Sequence, residues 1–242
     1  MGRNTRRDTA ARPVWRMFDA IAPRYDLLNR VLSFGQDRKW RRALANSVSD
    51  PRYARILDVA TGTGDVLMAL ANGRCGERFC VGVDMAGEML ELAHEKLMRG
   101  GVGSACALAR CDAESVPIAD GSFDAATIAF GIRNVSDVAK ALGEVHRTLK
   151  PGGRLAVLEF GLPSRRIPRR LYLFYFRHVL PLLGGLISGD YHAYRYLNRS
   201  VESFPYGKAF CDVMSASGFD NVIARPLTYG IAVLYFGEKA HA

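Results

Sequence analysis

The stretch Leu57-Asp58-Val59-Ala60-Thr61-Gly62-Thr63-Gly64-Asp65 decides the architecture of this chain. A short apolar run, RILDVA at 55–60, passes into two glycines and then into a helical pattern that begins near Asp65. That is a strand turning tightly into a helix, where glycine lets the backbone meet a ligand with no Cβ in the way. FCVGV at 79–83 repeats the theme and ends on Asp84, ahead of a helix from about Gly87 to Met98. A carboxylate at the end of that second strand can accept hydrogen bonds from both hydroxyls of a ribose.

Further out, a third strand is expected at 106–111 and a fourth, SFDAATIAF, at 122–130. A helix at 136–149, stopped by Pro151-Gly152-Gly153, leads to RLAVLEF at 154–160. Strands alternating with helices at this spacing predict an α/β fold with a doubly wound, mostly parallel sheet. After a helix near 207–217 come GFDNVIARPL and TYGIAVLYFG, too close together for a parallel crossover, so they should pair antiparallel. The whole of 1–242 reads as a single domain with three additions: a loose basic arm at 1–13, a helical flap at 14–48 and a helical insertion at 161–205. Pro23 and Gly35 are expected to interrupt the flap. Within the insertion, LYLFYFRHVLPLLGGLISG at 171–189 is apolar but carries Arg177, His178, Pro181 and three glycines. A membrane-spanning helix needs ~20 apolar residues without internal charge, so a cover over a greasy pocket or an interfacial helix suits it better.

A chain 49% hydrophobic and 24% charged over 242 residues fits one soluble globular domain. The basic, polar N-terminus has no apolar run behind it and does not resemble a secretory leader. The cysteines at 75, 80, 106, 111 and 211 form no CxxC pair and no cluster with histidine, so no metal is expected and a reducing cytoplasm suits them. The formal charge of +9 favours anionic partners. Basic residues gather at 3–16, 38–42 and 165–170, without any zinc-finger, RNP-type or helix-turn-helix pattern. That disfavours nucleic acid and favours an anionic membrane surface. A second copy of the chain is carried as a further partner, though no residue pattern demands it.

Two cofactors share a glycine turn followed by a strand-end acid. The dinucleotide fingerprint wants a small third residue and leaves room for a diphosphate at the helix N-terminus. Here Leu67 stands where the small residue would be, and Asp65 lies where phosphate would sit. An acid there suits S-adenosylmethionine, whose sulfonium and amino groups are positive. Asp112-Ala113, after the third strand, falls where a carboxylate could hold an adenine amine. The expected cofactor contacts are Asp58, Gly62, Thr63, Gly64, Asp84, Met85, Asp112, Ala113 and Ala129. Capping competes as a reading of Asp58 and Asp65, and plain strand-end placement as a reading of Asp84 and Asp112.

Three further stretches carry a family resemblance. They are Phe18-Asp19-Ala20-Ile21-Ala22-Pro23-Arg24-Tyr25-Asp26-Leu27-Leu28-Asn29 with Ser33-Phe34-Gly35 and Arg38-Lys39-Trp40; Phe130-Gly131-Ile132-Arg133-Asn134-Val135; and Arg147-Thr148-Leu149-Lys150-Pro151-Gly152-Gly153-Arg154 running to Leu158-Glu159-Phe160. Over about 14–239 the chain resembles the bacterial and mitochondrial C-methyltransferases that act on menaquinone and ubiquinone precursors. The resemblance implies a class I S-adenosylmethionine-dependent methyltransferase fold with seven strands, the last reversed. It implies methyl transfer to a ring carbon of a reduced demethylmenaquinone, a polyprenyl naphthoquinol; a polyprenyl benzoquinol or another lipid-like acceptor is the alternative. Leu28, Asp37 and Gly161 stand where the family usually has Met, His, and Ser or Thr. If that histidine accepts the proton, Asp37 or another group must do so here.

The implied chemistry is an in-line displacement by carbon, which positioning accelerates, and the ring carbon is nucleophilic only once a neighbouring phenol ionises. Arg133 cannot be the base but can stabilise a phenolate and hold a water. Asn134 would orient the quinol, and Tyr25 with Asp26 would belong to a flap closing over the cofactor. Arg133 is expected on an exposed loop; a salt bridge there and simple packing of Tyr25 are the competing readings. His146 reads as structural, while His178 and His192 are weaker candidates for the base. The polyprenyl tail needs an apolar groove, for which 171–189 is available. It also needs peripheral, reversible binding at the inner face of the cytoplasmic membrane, assisted by Arg165, Arg166, Arg169 and Arg170.

Overall fold

The computed structural model describes residues 14–73, 78–163, 166–182 and 191–241. The basic arm, Cys75, Arg165 and the end of the apolar run at 183–190 lie outside the described residues, as do the side chains of 166, 168 and 191–195. The chain runs α1 (Val14–Leu32), α2 (Gln36–Ser47), β1 (Arg55–Val59), α3 (Asp65–Ala71), β2 (Phe79–Asp84), α4 (Gly87–Arg99), β3 (Cys106–Arg110), β4 (Phe123–Ala129), α5 (Val138–Thr148) and β5 (Leu149–Phe160). It continues with α6 (Arg166–Phe174), a π-helical turn (Tyr175–Val179), α7 (Tyr191–Ser203), α8 (Lys208–Ala216), β6 (Phe219–Leu227) and β7 (Ala232–Lys239). One seven-stranded sheet has the order β3-β2-β1-β4-β5-β7-β6. All its pairings are parallel except those of β7, which runs antiparallel to both β5 and β6.

Helices cover both faces of the sheet. Ala141, Leu142 and Val145 of α5 and Phe210 and Met214 of α8 pack on one face, and Leu44 of α2, Leu67 and Leu70 of α3 and Leu97 of α4 pack on the other. This is why β1 is apolar from Ile56 to Val59 except at Asp58: a central parallel strand has no solvent face. Leu67 fits close to the sheet because β2 carries Gly82 opposite it, where a Cβ would come within 2.5 Å of the Leu67 Cδ1. The bulky third residue of the glycine turn is thus accommodated by a missing side chain on the next strand.

Two expectations on boundaries need correcting. Pro23 does not break the flap; α1 passes through it, buried on its core side at Ile21, Ala22 and Leu28, and the break falls at Gly35, which has φ +73°. Pro151-Gly152-Gly153 does not merely end a helix, because β5 already begins at Leu149 and runs through it. Of 171–189, the described part is helical, with the π turn loosening it at Tyr175–Val179.

Candidate active site

The site lies at the carboxyl ends of the strands, next to the β1–β4 junction where the strand order reverses, as expected for a doubly wound sheet. The turn after β1 places Gly62 at φ +56° with open space where a Cβ would stand. Asp84 accepts the Gly62 N–H at 2.8 Å on one oxygen and the Ala86 N–H at 2.9 Å on the other. Burial pushes its carboxyl up, while these amides pull it back down. Each oxygen keeps a further lone pair for a ribose hydroxyl.

A cavity of about 490 Å³ opens here, lined by Gly62, Asp84, Met85, Asp112, Ala113, Ala129 and Asn134 among others, with Trp15, Phe18 and Tyr25 of α1 on its outer side. Asp58, Thr63 and Gly64 do not line it. Asp58 lies beneath the turn, almost fully buried, where its two oxygens accept the Thr61 and Thr127 hydroxyls, each at 2.6 Å. Its role is to brace the turn. Burial raises its carboxyl to about 6 against the hydroxyl bonds that lower it. Because the folded value exceeds the unfolded 3.8, the native state holds the extra proton, and Asp58 should erode stability as pH rises from below 3.8 to above about 6. At 1.36 kcal/mol per unit the loss is roughly 3 kcal/mol. Denaturant unfolding of Asp58→Asn should therefore gain on the wild type by up to that amount across this window. A gap that is independent of pH would remove Asp58 as the cause.

Asp65 does not face the cavity either. Lys96 of α4 reaches it at 2.6 Å and also pairs with Asp26 of α1 at 2.6 Å, while Thr63 donates its hydroxyl to Asp26 at 2.6 Å. The acid expected to meet the sulfonium is instead one corner of a clasp that fastens the flap over the glycine turn. Asp19 strengthens the clasp by accepting the Glu88 N–H at 3.0 Å.

A second cavity of about 250 Å³ adjoins the first, the two sharing Phe18, Tyr25 and Phe130. Its walls are mostly aromatic or aliphatic, and they include Trp40, Phe160, Tyr172 and Phe176. The rings of Phe130 and Phe160 lie 4.4 Å apart, and Trp40 is fixed by its Nε1 donating to Thr228 at 2.8 Å. Ala60 and Phe130, just after β1 and β4, both take φ above +50°, so each strand end carries backbone strain where it meets the site.

Arg133 lines this second cavity, but not from an exposed loop. Its side chain is 6% exposed, and its Nη1 donates to Glu159 at 2.7 Å and to the Phe130 carbonyl at 2.6 Å. The loop is packed because Glu159, fully buried on β5, requires a cation beside it. Asn134 is less free than expected: its Nδ2 donates to the Phe130 carbonyl and its Oδ1 accepts the Tyr196 hydroxyl. Asp37 also lines the apolar cavity, paired with Arg41 at 2.8 Å and accepting the Ser33 hydroxyl. His178 is exposed and lines neither cavity, His146 packs on Phe219 and lines neither, and the side chain of His192 lies outside the described residues. Among the described residues no group of His, Cys, Asp and Glu could hold a metal ion.

The residues present fit S-adenosylmethionine: a strand-end acid for the ribose, Asp112 for an amine, and an aromatic partition of Phe18, Tyr25 and Phe130 that suits a sulfonium cation. Fold and site define a class I S-adenosylmethionine-dependent methyltransferase. The model of the ubiE/COQ5 methyltransferase family matches residues 5–239, and the chain belongs to that family. It is 49% identical to the ubiquinone/menaquinone biosynthesis C-methyltransferase UbiE of Geotalea uraniireducens, over 92% of this chain and 94% of that one. It is 48% identical to the demethylmenaquinone methyltransferase of Thermus thermophilus, over 92% of this chain and all of the relative. Among solved structures it resembles an S-adenosylmethionine-dependent methyltransferase from Thermotoga maritima, with a TM-score of 0.61 at 19% identity over 93% of this chain and 99% of that one. The [4+2]-cyclase SpnF gives a TM-score of 0.63 at 18% identity, over 95% and 96% of the two chains. Likeness at that level shows the fold alone.

Proposed function

We propose that this enzyme methylates a ring carbon of a reduced demethylmenaquinone, a polyprenyl naphthoquinol, in menaquinone biosynthesis. The observation that carries the reading is the apolar, aromatic-walled cavity adjoining the cofactor cleft and lined by two buried arginines, Arg41, which is paired with Asp37, and Arg133, which is paired with Glu159. A flat, fused ring system suits such walls, and a permanent cation suits a phenol oxygen that becomes negative. The name of the Thermus relative supports the same reading, while that of the Geotalea relative covers both the ubiquinone and the menaquinone pathways. S-Adenosylmethionine, when bound, supplies the electrophilic methyl group. Arg133 stabilises the phenolate, Asn134 is held by Tyr196 at the junction of the cavities, and Tyr25 of the clasped flap helps exclude water from both. The test is incubation with labelled S-adenosylmethionine and either the reduced demethylated naphthoquinone or the benzoquinone, with the product identified. Label on the naphthoquinol is expected; label on the benzoquinol alone would transfer the enzyme to the ubiquinone pathway, and label on neither would reject the reading.

We also propose that the insertion docks reversibly on an anionic membrane surface, where such a substrate resides. Ile167, Leu171 and Phe174 of α6 are exposed, as are Arg169 and Arg170 beside them. No described helix is long and apolar enough to cross a membrane. At about 1 kcal/mol per basic residue near an anionic surface, replacing Arg169 and Arg170 with glutamine should weaken vesicle binding on the order of tenfold at low salt. Activity on a short-tailed, water-soluble quinol should stay near that of the wild type. Unchanged vesicle binding would assign these arginines elsewhere.

A further inference from the structure

The reading above leaves the proton of the acceptor's hydroxyl without a destination. Arg133 cannot take it, neither His146 nor His178 lines the cavities, and Asp37, which does line the apolar one, has Oδ2 held by Arg41 and Oδ1 by the Ser33 hydroxyl. One buried carboxylate does lie next to the arginine. Glu159 is a lone acid in the apolar run Leu155–Phe160 of β5; its side chain is completely buried and lines neither cavity itself, but its ion-pair partner Arg133 and its neighbour Phe160 both line the apolar one, so a bridging water is needed to reach it. Oε1 is engaged by Arg133 and by the Phe160 N–H at 2.8 Å, whereas Oε2 has no hydrogen-bond partner among the described residues. On the other side of the same ion pair, the Arg133 Nε is likewise buried and unpartnered. An acceptor and a donor left over on one ion pair, in a protein interior where such groups are normally paired, are complementary to a hydroxyl or a water.

We propose that Glu159 is the proton acceptor of the reaction, acting through one bridging water between the acceptor hydroxyl and Oε2 while Arg133 holds the phenolate oxygen. This rests on the quinol reading of the cavity. The hydroxyl O–H bond breaks as an O–H bond forms on Glu159. The ring carbon's electron pair makes the new C–CH3 bond as the methyl's bond to sulfur breaks. The ring C–H proton then leaves to solvent, the proton on Glu159 returns to the oxygen, and the carboxylate is restored. One proton is released overall, which balances the charge lost from the sulfonium.

The surroundings suit the role. Arg133 is the cation facing Glu159, and among the described residues the phenols of Tyr172 on α6, Tyr196 on α7 and Tyr235 on β7 also feel its charge. Burial raises the Glu159 carboxyl and the arginine only partly opposes this, so it is a stronger base than a solvated glutamate. Tyr172 is raised too, by burial, which keeps it a neutral phenol.

Glu159→Gln keeps an oxygen for Arg133 Nη1 but removes the counter-charge of Arg133 together with the basicity, so thermal unfolding is read beside the rate. Single-turnover methyl transfer should fall on the order of 10²-fold, the size expected of general base catalysis. The decline of rate towards low pH should disappear, with S-adenosylhomocysteine affinity unchanged. Glu159→Asp should restore part of the rate and the decline. The wild type gives a second test that needs no variant: its pH profile with a natural quinol and with a more acidic, ring-chlorinated one. If Glu159 is the base, the acidic limb keeps its position with both acceptors. A limb that moves with the acceptor's own acidity, or one that survives in Glu159→Gln, overturns the assignment. A wild type that methylates neither quinol overturns the quinol reading instead.

Discussion

Arg133→Ala should lower single-turnover methyl transfer by a factor on the order of 10² or more, with little change in affinity for S-adenosylmethionine. The arginine lines the aromatic cavity and not the cofactor cleft, so its loss should be felt where negative charge develops on the acceptor oxygen. The structure adds a second consequence. Removing the guanidinium strands Glu159 in the core, and breaking a buried pair in this way costs about 3–5 kcal/mol of stability. Arg133→Lys separates the two effects. It keeps a cation for Glu159, whose bond and that of the Phe130 carbonyl both come from Nη1 alone, but loses the other guanidinium donors with which arginine could hold a phenolate and a water together. The lysine variant should therefore fold nearly as well as the wild type while still turning over slowly. Cofactor titration, thermal unfolding and rate, measured together, decide the matter. Full turnover in Arg133→Ala, or cofactor affinity collapsing in step with rate, would remove Arg133 from the transition state.

Asp84→Ala is expected to reduce cofactor affinity at least tenfold, since charge-assisted hydrogen bonds are worth about 1.5–3 kcal/mol. The same carboxylate also receives the amides of Gly62 and Ala86, so alanine loosens the glycine turn as well as removing the ribose contact. Asp84→Asn retains an acceptor for one amide and should fall between alanine and the wild type. Calorimetry with S-adenosylhomocysteine reads both variants, and an unchanged affinity in Asp84→Ala would exclude the ribose role. Turnover at saturating cofactor should suffer less than affinity, the reverse of the pattern expected for Arg133.

The two residues differ in how they could be read. The position of Asp84 was legible because it is local: the residue closes a short apolar run at the end of the second strand, beside a glycine turn, and the ribose role expected of it there is what the calorimetry tests. The reversed β7 was legible from spacing, because so short a link after β6 admits only antiparallel pairing. Arg133 was legible by family resemblance, yet its environment was not. Gly131 and Asn134 on either side suggested an open loop, and nothing nearby in sequence announces a carboxylate 26 positions away. The signal that could have revealed Glu159 was present as a single acid in an otherwise apolar strand segment, since a charge is not buried in a parallel core without a partner.

By itself, then, the sequence determined the succession of strands and helices, the glycine turn, the strand-end acid and the family. These depend on neighbours a few residues apart, whose periodicity and backbone freedom are written along the chain. The tertiary structure alone decided what each charge does. Asp65 is compatible with a cofactor cation until Lys96, 31 residues on, is brought to 2.6 Å from it. Asp58 looks like a contact until Thr127, 69 residues on, saturates it from the next strand. Coulombic and hydrogen-bonding partners are set by distance through space and by burial, and neither is fixed until the sheet has closed around them.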